Sequence, residues 1–283
     1  MYRGLIAIDL DGTILQLTYE VSAKDREALK KAHDLGYLIA ICSGRSAHLV
    51  KREIVKWKIK EYIDIIAGCN GAEYYDPSKS EEVEMLGYIT KEDIKEVFDI
   101  LATEGNYGFT WYSTTAVYTS SDHPRADRLG KQIELPVTHI AKDKVVEAFP
   151  DKWPKTVIYL ENPSKRYIKE LIYSKKQKAY DLVFTLDVVM EVIPEGINKG
   201  TILLEIAKRY NIAKKDIMAI GDEENDAEML RNSGFAVAMG NAVESLKEIA
   251  DYITADLEDN GFAEAVEVFI KRNQNRNIQG GHI

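Results

Sequence analysis

The chain has 283 residues, 45% of them hydrophobic and 29% charged, the make-up of an ordinary globular protein with apolar material for one large domain or two modest ones. A formal net charge of −9 excludes a general binder of nucleic acid, whose affinity rests on Lys and Arg neutralising phosphates; an anionic small molecule could still be held where a metal or a local lysine reverses the field. No apolar stretch approaches the ~20 residues that cross a bilayer, and the run Leu5–Ile8 is too short for a signal-peptide core, so the expectation is a cytoplasmic protein, monomer or small homo-oligomer, with no membrane partner.

The first third alternates two patterns. Leu5–Ile8 is a short apolar run that ends in a Gly-containing turn, as a buried parallel strand does. Ser22 is placed to cap a helix with Asp25 in its first turn, an apolar face of Ala28, Leu29, Ala32 and Leu35, and Gly36 as its stop. Tyr37–Cys42 reads as a strand, Ala47–Trp57 as a helix, and Ile63–Ala67 as a strand broken by Asn70-Gly71. This order implies an α/β fold with a doubly wound parallel sheet, Rossmann-like in style. The last third resumes it, with helix Lys199–Tyr210, strand Ile217–Ile220, helix Ala227–Arg231, strand Phe235–Ala238, and helices at Ser245–Ala250 and Phe262–Ile270. The polar tail Asn273–Ile283 is expected to lack structure.

The middle differs. Helix-like Lys91–Glu104, Asp143–Phe149 and Lys165–Tyr173 alternate with strand-like Tyr107–Tyr112, Ala116–Ser120, Thr156–Leu160, Leu182–Leu186 and Val188–Val192. Helices mixed with hairpin-like strands indicate a separate α+β domain. The expected organisation is a core of residues 1–83 and 191–283 with an inserted domain of residues 84–190. Tyr107, Phe109 and Trp111 alternate along one strand and are expected to pack against that domain's helices. Tyr112, Tyr118, His123 and Arg125 are candidates to touch a substrate. Cys42 and Cys69 form no C-x-x-C pair and are expected to be buried thiols acting as small apolar groups.

Four short segments carry chemistry. Asp9-Leu10-Asp11-Gly12-Thr13 places two carboxylates beyond the carboxyl end of the first strand, where doubly wound sheets bind ligands. Asp-Gly is also a common turn dipeptide, but charge at the edge of a core needs a partner. Gly221-Asp222-Glu223-Glu224-Asn225-Asp226 repeats the arrangement at another strand end. Asp226 fits a helix cap or a supporting group, whereas Asp222 has no capping reason to be acidic. Asp9, the Asp11 backbone carbonyl and Asp222 together offer an all-oxygen site of the kind Mg²⁺ prefers. The histidines show no metal-ligand spacing. Ser43-Gly44-Arg45, between a strand and a helix, offers a hydroxyl and a backbone N–H for phosphate oxygens, although on its own an ordinary Ser-capped loop is the better explanation. Lys199, at a helix N-terminus, opposes the macrodipole there.

Asp9–Thr13, Ser43, Lys199 and Asp222–Asp226, with Asn70-Gly71 and Gly240-Asn241, resemble in order and placement the motifs of the haloacid dehalogenase superfamily. They are most similar to its Cof-type branch, in which a large α/β cap lies between the second and third motifs. The resemblance implies a Mg²⁺-dependent phosphatase acting on a small phosphorylated metabolite (a sugar phosphate, nucleotide or cofactor phosphate) through an aspartyl-phosphate. It implies Asp9 as nucleophile and Asp11 as acid and base. It further implies Leu10, Ser43, Gly44, Lys199 and Asn225 around the phosphoryl group, Asp9, Asp11 and Asp222 at the metal, and Asp226 in support. True dehalogenases lack the second Asp by family pattern, so Asp11 argues for phosphate esters. A phosphomutase, or a phosphosugar-binding sensor with little turnover, shares the same core residues.

Overall fold

In a computed structural model, which describes residues 2–102, 104, 107–122, 124–160, 165–186 and 189–280, the chain divides into two units, Met1–Glu84 with Asn198–Ile283, and Met85–Ile197. The first unit begins with β1 (Leu5–Ile8), α1 (Ala23–Asp34), β2 (Leu38–Cys42), α2 (Ala47–Lys56), β3 (Ile65–Gly68) and β4 (Glu73–Tyr75), followed at the boundary by the two-residue β5 (Glu84–Met85). Within the second unit come β6 (Ile89–Thr90), α3 (Lys91–Leu101), β7 (Tyr107–Tyr112), β8 (Val117–Thr119), α4 (Pro124–Gln132), β9 (Val137–His139), α5 (Val145–Ala148), β10 (Lys152–Trp153), β11 (Thr156–Leu160), α6 (Lys165–Lys175), β12 (Tyr180–Leu186) and β13 (Val189–Pro194). The chain returns to the first unit with α7 (Lys199–Arg209), β14 (Ile217–Gly221), α8 (Ala227–Asn232), β15 (Phe235–Ala238), α9 (Glu244–Lys247), β16 (Tyr252–Ile253) and α10 (Gly261–Gly280).

The first unit is built on one sheet of order β16-β15-β14-β1-β2-β3-β4-β5. From β16 to β3 its strands pair in parallel, and β4 runs antiparallel to β3. All four residues of β1 are fully buried, as expected of a central parallel strand whose two faces are both covered. The register is what positions the chemistry. Ile8 lies level with Ile220 of β14 and Ile41 of β2, so Asp9, Asp222 and Ser43 leave neighbouring strands within one residue of the same height. The Ser22 cap accepts from the Asp25 N–H at 3.0 Å, and the buried Asp25 carboxylate accepts from the Ala263 N–H at 3.0 Å. The start of α1 is thereby tied to the start of α10.

The second unit has a six-stranded sheet of order β12-β13-β11-β7-β8-β9, in which only β8 and β9 pair in parallel. Tyr107, Phe109 and Trp111 point to one face, where they join Ile94, Val97, Leu101, Val145, Ile168 and Ile172 from the helices and Phe149 just after α5. The alternation in β7 therefore marks a core face, as expected. Tyr118 stacks on Trp111, with ring centres 5.7 Å apart; Tyr112 ends β7 half-buried and Arg125 is exposed in the first turn of α4. His123 lies outside the described residues.

Three features differ from the sequence reading. β13 pairs with both β11 and β12, so the second unit extends to Ile197 rather than 190, and the Asn198 cap of α7 begins the return to the first unit. Helix α4 was unanticipated because its sequence, PRADRLGKQ, has too few apolar residues to show a helical stripe. The tail is helical to Gly280 rather than unstructured. Its polar side chains bond inward: Asn273 donates to the Tyr37 hydroxyl at 3.1 Å, and Arg276 donates to the Lys215 carbonyl at 2.8 Å. Among the described residues no helix is long and apolar enough to cross a membrane.

Phe109 is fully buried and packs edge-on to Tyr107. Phe109→Ala is therefore expected to destabilise the second unit by about 3–5 kcal/mol. Denaturant unfolding followed by tryptophan emission checks this, and a loss under about 1 kcal/mol would contradict the packing described.

Candidate active site

Asp9 follows β1 directly and is 6% exposed. Its Oδ1 accepts from the Lys199 ammonium at 2.5 Å, and the same ammonium donates to Asp226 Oδ1 at 2.6 Å. Lys199 is the first residue of α7, whose start is fixed by Asn198 Oδ1 accepting from the N–H groups of Gly200 and Thr201. The macrodipole cost of a lysine there is offset by the two carboxylates it bridges. Burial alone would lower the pKa of Lys199, but Asp226 and then Asp9 outweigh it and hold the group firmly protonated.

Asp226 is fully buried. Its second oxygen accepts from the backbone N–H groups of Asp222 and Glu223 at 3.0 and 3.1 Å. It therefore closes the loop after β14 and aims Lys199 at the same time. Asp222 accepts from the Thr13 hydroxyl at 2.9 Å. Gly12 makes that approach possible: its φ is +84°, and a Cβ there would lie 2.1 Å from Asp222 Oδ2. Asn241 clamps the same loop, donating to the Gly12 carbonyl at 2.8 Å and accepting from the Leu257 N–H at 2.9 Å.

Asp9, Asp222 and Asp226 each offer an oxygen, all within 4.8 Å of one another and all buried. Three carboxylates against one ammonium leave a formal charge of −2, which a buried site cannot carry unless it is neutralised. Desolvation, the largest cause, pushes Asp9 well above the usual carboxylate range, with Asp226 and Asp222 adding to it and Lys199 opposing. Burial, then Asp226, pushes Asp222 up to about 7. A divalent cation fits this set by charge and by its all-oxygen chemistry.

The Ser43–Arg45 loop forms the next wall. Ser43 is buried, its Oγ accepts from the Arg45 N–H at 3.1 Å, and its carbonyl accepts from Asn70 N–H at 3.0 Å. Asn70 has a φ of +57°, a conformation Asn tolerates better than most residues, and its Oδ1 accepts from Asn225 Nδ2 at 3.2 Å. Gly44 lies beside the Asn70 side chain. The N-terminus of α2 is closed, since Ala47 N–H donates to the buried Glu73 carboxylate at 2.6 Å. Asp11 is not one of the three clustered carboxylates. Its side chain is 55% exposed and is held by Arg45 through bonds of 2.8 and 2.5 Å.

The structure thus brings Asp9, Lys199, Asp222 and Asp226 into one buried cluster, with Leu10 preceding the turn and Ser43, Gly44 and Asn225 around Asn70. The sequence reading had assigned no role to Thr13, Asn70, Arg45 or Asn241, although each stands in a segment it had singled out. Cys42 and Cys69 are buried and not joined in a disulfide. Burial pushes the Cys42 thiol up to about 12, which removes it as a nucleophile near neutral pH.

A protonated Asp222 suits the metal-free fold. Its contribution to stability is fully present below pH ~4 and is lost as pH rises through about 7. Asp222→Asn should therefore stabilise the metal-free protein near pH 8, and by less near pH 5. Thermal unfolding in chelator at both pH values checks this; an equal or negative change at the higher pH would contradict it.

A family model described as haloacid dehalogenase-like hydrolase matches residues 6–266. The putative phosphatase YxeH of Bacillus subtilis is 28% identical over 95% of this chain and 99% of its own length. The phosphoglycolate phosphatase of Methanobrevibacter smithii is 27% identical over 94% and 97%. Among solved structures, BT1666 of Bacteroides thetaiotaomicron superposes with a TM-score of 0.78 at 25% identity, covering 94% of each chain. The subclass IIB sugar phosphatase BT4131 superposes with a TM-score of 0.79 at 22% identity over 94% and 98%, a likeness of fold. A match that spans both units and every element of the carboxylate cluster places this chain among the haloacid dehalogenase-like hydrolases, as an enzyme of their phosphatase branch.

Proposed function

We propose that the chain hydrolyses small phosphate monoesters through a phosphoryl group carried on Asp9. The observation that supports this most is the Asp9 carboxylate held by a buried ammonium at 2.5 Å. That contact fixes the orientation of the carboxylate and sets a positive charge beside the phosphoryl oxygens, which is where phosphoryl transfer most needs stabilisation. Asp9, Asp222 and the Asp11 backbone carbonyl would hold Mg²⁺, which when bound supplies charge neutralisation for the phosphoryl oxygens.

In the first step an Asp9 oxygen bonds to phosphorus as the ester P–O bond breaks. Asp11 gives its proton to the departing oxygen. In the second step water bonds to phosphorus, the Asp9–phosphorus bond breaks, and Asp11 recovers a proton from that water. Ser43, Lys199 and Asn225, with the N–H groups of Leu10 and Gly44, orient the transferred group. Asp226 keeps Lys199 aimed at Asp9. The second unit acts as the cap that selects the substrate and excludes water. Relatives include phosphatases of phosphoglycolate and of 5-amino-6-(5-phospho-D-ribitylamino)uracil. Both are alkyl phosphates, and that class, whose leaving groups need a proton, suits an enzyme that carries Asp11.

Asp9→Asn should lower phosphate release from an aryl phosphate by at least about 10⁴-fold while the thermal transition is kept. Near-wild-type turnover in that variant would remove Asp9 from the nucleophile's place. Exhaustive chelation should abolish activity and added Mg²⁺ should restore it; full activity in chelator would exclude the metal.

A further inference from the structure

Asp11 does its work from an exposed position in a turn, where a lone carboxylate would sample several rotamers. It is not left alone. Arg45 Nε donates to Asp11 Oδ2 at 2.8 Å and Arg45 Nη2 donates to Oδ1 at 2.5 Å. Two parallel bonds from a planar guanidinium fix both the direction and the plane of a carboxylate, which a single point charge does not.

The guanidinium is itself built in. Its centre lies 5.6 Å from the Tyr19 ring and 6.0 Å from the Trp57 ring, and its side chain is only 19% exposed. The Arg45 N–H donates to Ser43 Oγ at 3.1 Å, and its carbonyl accepts from the Cys69 N–H at 2.8 Å. The backbone that places Arg45 is therefore the backbone that places Ser43. With the Asp11 partner 55% exposed, the pair is too solvated to contribute much to stability, so its geometry calls for another reason.

We propose that Arg45 is the positioning residue of the acid–base step, a role that rests on Asp11 being the acid and base. It holds the Asp11 carboxyl at the point where the ester oxygen leaves, and stabilises the carboxylate that remains after the proton has passed to that oxygen.

The role has a signature that a structural role lacks. A leaving group of low pKa departs without a proton, whereas an alkoxide needs one. The value of kcat/KM reports only steps through the breaking of the ester bond, so it isolates the acid step from release of the phosphoryl group from Asp9. We would measure kcat/KM for phosphate monoesters of nitrophenols, phenol and simple alcohols with the wild-type enzyme, Arg45→Met and Arg45→Lys. Arg45→Met should lose roughly 100-fold or more on alkyl esters and under about 10-fold on nitrophenyl phosphate. Arg45→Lys should fall between, since it restores the charge and not the fork. The alkyl-to-aryl ratio within one variant is independent of how much of that variant is folded, so a poorly folding protein still gives an answer. Equal losses across all leaving groups, or no loss on any, would overturn the proposal. The wild-type enzyme and Asp9→Asn, run in the same series, separate the two readings: activity retained by Asp9→Asn refutes the nucleophile, whereas an inactive Asp9→Asn with an unchanged ratio in Arg45→Met refutes only the role of Arg45.

Discussion

The ion cluster of Lys199 with Asp9 and Asp226 is the constraint on which the rest of the first unit depends. An ammonium taken fully out of water is costly unless its charge is matched and its protons are bonded. One carboxylate would match it, yet two bond it and a third lies beside those two. The surplus negative charge gives the cluster the charge and the oxygen donors that a divalent cation requires. One Asp226 oxygen closes the loop after β14 while the other holds the Lys199 ammonium beside Asp9.

The sheet makes this cluster possible. β1, β2 and β14 are parallel neighbours in matched register, so three chain segments far apart in sequence open at one edge. Small residues then let the loops close. Gly12 admits the Asp222 carboxylate, and a Cβ at Gly221 would lie 2.4 Å from Asp226 Cγ. The second unit has its own core around Phe109 and Trp111, so variation in its surface need not disturb the carboxylates in the first.

Much of this was legible in the residues. The apolar runs of β1, β2 and β14 each end in a polar turn, and period and turn chemistry together place Asp9, Ser43 and Asp222 at strand ends. The position of Lys199 beside Asp9 was not legible from pattern, because a contact across 190 positions leaves no local trace; family resemblance supplied it. The fork from Arg45 to Asp11 escaped for the same reason. The extent of the second unit was misread because β13 is bounded by its hydrogen-bond partners and not by a break in composition. The tail was misread because its helix is held by polar bonds from Asn273 and Arg276 rather than by an apolar stripe.

The central claim is that phosphorus changes partners twice, first to Asp9 and then to water. The most direct test is the stereochemical course at phosphorus, using a thiophosphate monoester made chiral with oxygen isotopes. Two in-line displacements predict net retention of configuration whether or not the phosphoryl-Asp9 species accumulates. Net inversion would show that water attacks the ester directly, and would contradict Asp9 as the nucleophile.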